Sequence, residues 1–147
     1  MNTEGYNIDV YDNLFYTFVS IGTNGTVLKG VDFQEIEFGI YNLALLDYQE
    51  SNESWSDISV TNNGDIIKTM RTVLSIIINF LENNSQYSVV IRANTQIKLL
   101  LYNRIFKNYY GNLSDQITIL TDGEYGKIVA SVDIIHEVFY IYKNNNA

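Results

Sequence analysis

Apolar residues recur every three or four positions after a polar turn in the middle of the chain, and this pattern predicts the longest helix. The turn is Thr61–Asp65, and the helix is expected to run to Glu82. Asn62 or Asn63 would cap its start, and Asp65 would place an anion in its first turn, where the helix dipole favours one. The predicted buried face consists of Ile66, Ile67, Met70, Val73, Leu74, Ile77, Ile78 and Leu81.

A second helix is predicted from Ala93-Asn94-Thr95 to about Tyr109. Gly111 and Asn112 follow it and are expected to end it, because a glycine commonly terminates a helix. The predicted core face consists of Ile97, Leu101, Ile105 and Tyr109, with Leu100 and Phe106 alongside.

The remaining apolar runs predict strands. A turn at Gly22–Gly25 would join Leu14–Ile21 to Thr26–Ile36 as a hairpin, because Asn-Gly tolerates positive φ. Phe38–Tyr48 is almost continuously apolar and would be a buried central strand. Further strands are predicted at residues 57–61, 87–92 and 116–120, and residues 128–132 and 137–142 would form one or two final strands. The order β-β-β-β-α-β-α-β-β indicates an α+β fold, with a single mostly antiparallel sheet and two helices packed on one face.

Composition limits the kinds of site that the chain can contain. Its 147 residues predict a single domain, with a loose lead-in at 1–13 and a frayed tail at 144–147. Cysteine is absent and His136 is the only histidine, so disulfides, thiolate sites and multi-histidine metal sites are excluded. We therefore expect no metal and no cofactor. His136 is interpreted as a strand residue with a satisfied ring, and Trp55, in a polar loop, as a cover over the core.

No segment of the chain is suited to a membrane. No apolar run reaches the roughly 18 residues of a membrane span, and the N-terminus lacks a signal-peptide pattern. We therefore expect a cytoplasmic protein without a membrane partner. The absence of proline and the abundance of Asn, Ile, Tyr and Lys suggest an AT-rich genome.

Charge is segregated along the chain, whose net charge is −8. Residues 1–57 carry ten acids and one base, whereas residues 83–114 carry four bases and no acid. The overall charge disfavours nucleic acid, because phosphates require a positive surface. The basic second helix, with its tyrosines, could still bind single-stranded nucleic acid, or pair with the acidic half within the molecule or across a dimer. The interface candidates on this helix are Arg104, Lys107, Tyr109 and Tyr110.

Thr61–Asp65 and Ala93–Tyr102 together resemble a small bacterial family, domain of unknown function family 6934. The first stretch matches the family signature T-N-N-G-D, and the second is a degenerate form of G-S-T-x-x-R-x-R-L-Y. Other positions that fit are Phe18, Ser20, Gly22, Gly25, Lys29 and Val31 in the opening hairpin, and Tyr41-Asn42-Leu43 and Asp47-Tyr48 in a later strand. The resemblance covers roughly residues 14 to 143, and the family is uncharacterised, so no activity is implied.

The second motif departs from the family pattern at four positions. Lys98 stands where the family has its first arginine, and Leu100 replaces the second. Ala93 and Asn94 replace the glycine and the serine. If the arginine pair held a phosphate or carboxylate, this protein has lost the bidentate fork and half the charge; otherwise those arginines were structural.

Both turns join a strand to a helix, so they could lie side by side and form one ligand site. Their side chains either cap the helices or face a ligand at the strand ends. Backbone N–H groups at the second turn favour anions, although no Gly-rich phosphate loop is present. Acid–base candidates are Asp47, Asp65 and Glu124, and no catalytic residue is identified. The ligand-binding candidates are Asn62, Asn63, Asp65, Arg92, Asn94, Thr95, Lys98 and Tyr102.

Two functions remain open. The first is a protein-binding module that acts through a protein partner or self-association, with the acidic N-terminal half and the basic second helix as complementary surfaces. The size and character of such families suggest a place in a defence or toxin–antitoxin type cassette. The alternative is an enzyme or sensor for a phosphate-bearing ligand, a nucleotide or RNA, bound between the two turns.

Overall fold

The structure is a computed structural model that describes residues 5–56 and 63–144. Nine strands and two helices lie in these residues. Their bounds are β1 Asp9–Val10, β2 Phe15–Gly22, β3 Gly25–Glu37, β4 Ile40–Gln49, β5 Ser54–Ser56, α1 Ile66–Asn83, β6 Ser88–Arg92, α2 Gln96–Leu113, β7 Ile117–Gly123, β8 Gly126–Val129 and β9 Val138–Lys143.

The strands form one sheet in the order β1-β2-β3-β4-β6-β9-β7-β8, with β5 paired to β4 outside that path. Antiparallel pairing joins β1 to β2, β2 to β3, β4 to β5, β6 to β9, and β7 to both β8 and β9. β4 and β6 are parallel, with Tyr41 opposite Val89. The α+β class and the mostly antiparallel sheet that the sequence predicts are therefore confirmed.

Two short strands differ from the predicted order. β1 lies in the predicted lead-in, and β5 contains Trp55, which the sequence pattern places in a loop. Strands of two or three residues are too short for a period of two to be visible, so pairing with a neighbour determines them. The strand predicted at residues 57–61 lies outside the described residues.

Contacts divide the chain into two compact units. Unit 1 combines residues 1–34 and 43–80, and unit 2 combines residues 35–42 and 81–147. Most of α1 belongs to unit 1 and all of α2 to unit 2. The single domain and the packing of both helices on one face stay predictions.

In unit 1, α1 packs on the strands through aromatic and branched side chains. The rings of Phe33 and Phe80 stack with their centroids 4.1 Å apart and their planes within 6°. Tyr16 meets Phe33 edge-on at 5.8 Å. Removing rings of this size from water is a main source of core stability. The largest fully buried side chains in this unit include Phe18, Val31, Phe33, Ile76, Ile77 and Phe80.

The buried face of α1 is rotated relative to the predicted one. Ile67 is exposed, whereas Phe80 and Thr72 are buried. Thr72 is tolerated inside because its hydroxyl donates to the carbonyl of Lys68 at 2.8 Å. The run is so rich in apolar residues that two overlapping faces fit the helical period, and packing against Phe33 selects between them. The buried positions are Thr69, Met70, Thr72, Val73, Ile76, Ile77, Phe80 and Leu81.

Aromatic side chains cover the other face of the unit 1 strands. Trp55 meets Phe15 edge-on at 5.4 Å and Tyr48 at 5.2 Å. A Cβ at Gly30 would lie 3.0 Å from the Trp55 ring, so the indole rests directly on the backbone of β3. Trp55 thus covers this face of β3, and its predicted place over the core stays a prediction.

In unit 2, α2 packs on the strands with Phe106 5.2 Å from the ring of Phe139 in β9. The helix continues to Leu113, and Ser114 is its C-cap in a right-handed helical conformation. Gly111 therefore lies inside the helix, and the predicted end at this glycine is wrong. The physical reason is burial of Leu113, which extends the packed face by one more turn.

Candidate functional site

Asn63 holds the turn before α1 against the β2–β3 hairpin, and the residue is only 1% exposed. Its amide oxygen accepts from Asn24 N at 2.6 Å. Its amide nitrogen donates to Ser20 Oγ at 3.1 Å and to the Gly25 carbonyl at 3.0 Å. Its own carbonyl accepts from Thr23 N at 3.0 Å. Both amide donors of Asn63 are therefore used within unit 1.

Two glycines permit this contact. A Cβ at Gly22 would lie 1.8 Å from the carbonyl oxygen of Asn63, so no other residue fits at this position without displacing the turn. Gly64 has a φ of 76°, a conformation that glycine adopts without strain. Asn63, in the T-N-N-G-D stretch, is thus fitted to the hairpin through its backbone and its side chain alike.

Asp65 accepts three hydroxyl hydrogen bonds on its Oδ2 atom. The donors are Ser20 Oγ at 2.5 Å, Tyr6 OH at 2.6 Å and Thr69 Oγ1 at 3.2 Å. The Asp65 carbonyl also accepts from Thr69 N at 2.9 Å. This carboxylate therefore connects the N-terminal segment, the strand β2 and the first turn of α1.

These contacts correct the predicted cap of the first helix. α1 begins at Ile66, so Asp65 lies just before the helix and not in its first turn. Asn63 does not cap the helix, because the hairpin occupies its amide group. Asn62, the other predicted cap and a ligand-binding candidate, lies outside the described residues.

Hydrogen bonding and burial determine the protonation states of Asp65 and Tyr6. Burial by itself would raise the pKa of the Asp65 carboxyl, but the hydrogen bonds from Ser20, Tyr6 and Thr69 outweigh burial and hold the pKa below its ordinary value. Burial, and then the hydrogen bond to Asp65, raise the pKa of the Tyr6 phenol. At neutral pH the carboxylate is ionised and the phenol neutral, an arrangement that makes Asp65 a weak general base.

Tyr6 ties the N-terminal segment to α1. Its backbone N donates to Thr72 Oγ1 at 2.8 Å, and its ring stacks on Phe18 with centroids 5.9 Å apart. The ammonium of Lys68 lies 4.4 Å from the centre of the same ring, within cation–π range. This part of the predicted lead-in therefore makes specific contacts with the folded unit.

A buried ion pair joins β3 to β4. Lys29 Nζ lies 2.8 Å from Asp47 Oδ1, and the two side chains are 3% and 5% exposed. A buried charge needs such a partner, because an unpaired ion in the interior costs several kcal/mol, on the order of 3–5 when one partner is removed. Of the other acid–base candidates, Glu124 is exposed in the turn between β7 and β8.

A cavity of about 490 Å³ lies at the start of α1. Its lining combines two cations, Lys68 and Arg71, with the carboxylate of Asp65. The helix N-terminus attracts anions, but Asp65 at the same opening opposes them. The lining residues are Gly64, Asp65, Ile66, Ile67, Lys68 and Arg71.

The second turn starts α2 in unit 2. Thr95 is the N-cap, and its hydroxyl accepts from Lys98 N at 3.1 Å. Arg92, at the end of β6, and Asn94 are exposed. Lys98 is only 2% exposed, and Tyr102 is buried as well, so both side chains lie in the interior of unit 2. Because the two turns belong to different units, a shared ligand site stays a prediction.

The exposed face of α2 combines apolar and basic side chains. Ile97 is 62% exposed and Leu100 is 53% exposed, so their predicted place on or beside the core face is wrong. Arg104 and Lys107 continue the same face at spacings of four and three residues and are also exposed. The helix is rotated because its interior face is occupied by Lys98, Leu101, Tyr102, Ile105, Phe106 and Leu113.

The loop before β9 lies next to α2 and carries two exposed isoleucines close to its contact with the helix. The side chain of Asn103 accepts from His136 N at 2.7 Å and donates to the His136 carbonyl at 2.8 Å, so the loop runs beside α2. Ile134 and Ile135, just before that histidine, are both exposed. We define the α2 surface as Ile97, Leu100, Arg104, Lys107, Ile134 and Ile135.

The other predicted residues on this side of unit 2 have structural contacts. The ring nitrogen Nε2 of His136 lies 2.9 Å from the Ser131 carbonyl, which confirms a satisfied ring, although His136 lies in a loop and not in a strand. Tyr109 and Tyr110 are half-buried, and the Tyr110 ring lies 5.1 Å from Phe106.

Sequence reasoning missed Tyr6 and the exposure of Ile97 and Leu100. The spacing of positions 97, 100, 104 and 107 is itself helical, and the two cations on that face indicate solvent. No local pattern marks Tyr6, because its hydrogen bond to Asp65 spans 59 residues.

These features define a small α+β protein in which motif residues bind a hairpin to a helix, and in which a second helix leaves an apolar and basic face exposed. The chain belongs to DUF6934, a family of unknown function, whose model matches residues 2–144. No curated protein and no solved structure matches the chain significantly. Among the described residues, neither helix is long and apolar enough to cross a membrane.

Proposed function

We propose that this protein is a protein-binding module that acts through the α2 surface. The observation that carries the proposal is the exposure of Ile97 and Leu100 beside Arg104 and Lys107 on one helix face. Exposed apolar side chains grouped with charged ones are typical of protein interaction sites, whereas scattered single ones are ordinary.

The chemistry of the surface specifies its partner. The isoleucines and Leu100 would bury apolar side chains, and the guanidinium of Arg104 suits a carboxylate, which it can bind through two hydrogen bonds. The partner would therefore be a protein segment that presents apolar side chains flanked by Asp or Glu. Its encoding in a defence or toxin–antitoxin type cassette is a further proposal, which comes from the size and character of such families and from no residue.

The alternative, an enzyme or sensor for a phosphate-bearing ligand, has less support. Three of its proposed ligand-binding side chains are engaged or buried within the protein. Asn63 and Asp65 make hydrogen bonds to the hairpin and its neighbours, and Lys98 is buried. A thermal-shift screen with nucleotides and RNA oligonucleotides tests the alternative, which requires a ligand that raises the midpoint of unfolding.

Capture from cell extract, followed by titration of the purified captured protein, tests the proposed function. We expect the purified partner to bind the wild-type chain, and Leu100→Gln or Arg104→Glu to weaken binding by about tenfold or more, as truncation of a central interface residue does. Both positions are exposed, so neither change should affect folding.

Matched controls lie on β8. Ile128 is 54% exposed, close to the exposure of Leu100, and Lys127 is exposed on the same strand. Ile128→Thr and Lys127→Glu should leave binding unchanged. The proposal is wrong if the four variants bind alike, or if no protein, a second copy of this chain included, binds the wild type.

A further inference from the structure

The turn between β3 and β4 carries the chemistry that the α2 surface requires. Phe38 is 93% exposed, Ile36 is also exposed, and Glu35 and Glu37 lie beside them. We define the tip as Glu35–Phe38. Alternation along a strand directs Ile36 to the face opposite Glu35 and Glu37, so the tip has an apolar side and an acidic side.

The tip is held in shape by its own contacts. Gly39 N donates to Glu35 Oε2 at 3.3 Å, and Gly39 has a φ of 78°, which suits a tight turn. The Gly39 carbonyl accepts from Ser88 N at 2.9 Å, which anchors the turn to β6. A fixed tip loses little conformational entropy on binding, which favours its use as a contact.

We propose that the α2 surface binds the tip of a second copy of this chain. This inference rests on the proposed function, since it names the partner of the same surface. Phe38, in the turn at the end of the tip, would pack on Leu100 and the neighbouring isoleucines, and Glu37 beside it would pair with Arg104 or Lys107.

Charge complementarity identifies the second copy as the occupant. The tip brings the exposed ring of Phe38 and the exposed acid Glu37 to a surface with two bases and exposed apolar residues. Both partners of the contact are exposed within unit 2, so they do not bind each other there. In a two-fold dimer the contact would occur twice, once in each direction, which makes a modest contact more stable.

Sedimentation velocity of the full chain over a concentration series tests the inference. We expect the wild type to self-associate, and Phe38→Ser or Leu100→Gln to weaken association by about tenfold or more. Ile128→Thr and Lys127→Glu, which change neither surface, should associate like the wild type. A wild-type chain that stays monomeric, or association that the β8 variants abolish equally, overturns the inference.

Charge reversal gives a sharper test. Glu37→Lys and Arg104→Glu should each lose association, because each places like charges in the contact. Mixing the two variants should restore it, since both contacts of a mixed dimer regain opposite charges. If general repulsion between acidic chains controlled association instead, Glu37→Lys would strengthen association, because it moves the net charge of −8 toward neutrality.

The inference and the proposed function fail differently. If the chain is monomeric but captures another protein that Leu100→Gln and Arg104→Glu release, the tip is not the partner and the α2 surface remains a binding site. If the mixed variants do not associate while the wild type does, a surface other than the tip and α2 forms the dimer, and the inference is wrong.

Discussion

Asp65 should make the stability of this protein depend on pH. Hydrogen bonds from Ser20, Tyr6 and Thr69 outweigh burial and hold its folded-state pKa below the ordinary value. A carboxyl of this kind contributes stability that is present above its unfolded pKa, about 3.9, and that is lost as the pH falls through the folded pKa. We expect Asp65→Asn to lower the free energy of unfolding by about 1–2 kcal/mol at neutral pH, and the difference from wild type to shrink below about pH 4.

Urea unfolding at neutral pH and at about pH 3 measures this effect. The matched control is Asp122→Asn, because Asp122 is an exposed carboxylate that also accepts from a tyrosine, Tyr140 OH, at 2.8 Å. The control should change the free energy of unfolding by no more than about 0.5 kcal/mol. An effect of Asp65→Asn that is equal at both pH values would show that the charge of Asp65 is not the cause.

At the residue scale, the sequence identifies the important side chains more reliably than it identifies their contacts. Asn63 and Asp65 are identified from the motif, and both occupy central positions in a hydrogen-bond network. Their partners cannot be read from spacing, since the bonds to Ser20 cross more than forty residues, with separations of 43 and 45. Lys98 shows the converse: a cation in a basic segment suggests solvent, whereas packing of α2 buries it.

At the scale of elements, the close contact between the hairpin and the turn before α1 should be visible in a pair of glycine variants. Gly22→Ala would place a Cβ 1.8 Å from the Asn63 carbonyl oxygen and should lower the free energy of unfolding by about 3 kcal/mol or more. Among the residues that the structure describes, a Cβ at Gly111 meets nothing within 4 Å apart from its chain neighbours and its own helix backbone. Gly111→Ala should therefore raise the free energy of unfolding by about 0.5–1 kcal/mol, because alanine favours the helix.

Urea unfolding of both variants against wild type is the measurement. Gly111→Ala is the control for Gly22→Ala, since the chemical change is the same and only the surroundings differ. Equal effects at the two positions would mean that the approach of Asn63 to Gly22 does not constrain the hairpin.

Periodicity predicts elements well where one face is clearly apolar and poorly where packing chooses between faces. The hairpin of β2 and β3, the buried strand β4 and both helices follow from their patterns. The rotation of α1 and α2 does not, because aliphatic residues surround much of α1 and a lysine and a tyrosine enter the interior face of α2. The parallel pairing of β4 with β6 is likewise a tertiary choice that no local pattern encodes.

At the scale of the whole molecule, three elements contribute residues to both compact units. β3 gives residues 25–34 to unit 1 and residues 35–37 to unit 2, β4 gives residues 40–42 to unit 2 and residues 43–49 to unit 1, and α1 is divided after Phe80. A continuous strand or helix cannot keep one part folded without cost when the rest unfolds, because backbone groups lose their partners. The two units should therefore unfold in one cooperative transition.

Trp55 allows this expectation to be tested, because a substitution in unit 2 can be followed by fluorescence in unit 1. It is the only tryptophan and lies in unit 1, so its fluorescence reports on that unit, whereas Gly111 lies in unit 2. We expect Gly111→Ala to shift the fluorescence transition in urea by the same amount as the far-UV circular dichroism transition. A fluorescence midpoint that stays at the wild-type value would instead identify two independently unfolding units. Apart from its chain neighbours and its own helix backbone, no atom of the described residues lies within 4 Å of a Cβ at position 111, so a shift at Trp55 would have to arise from coupled unfolding through β3, β4 and α1.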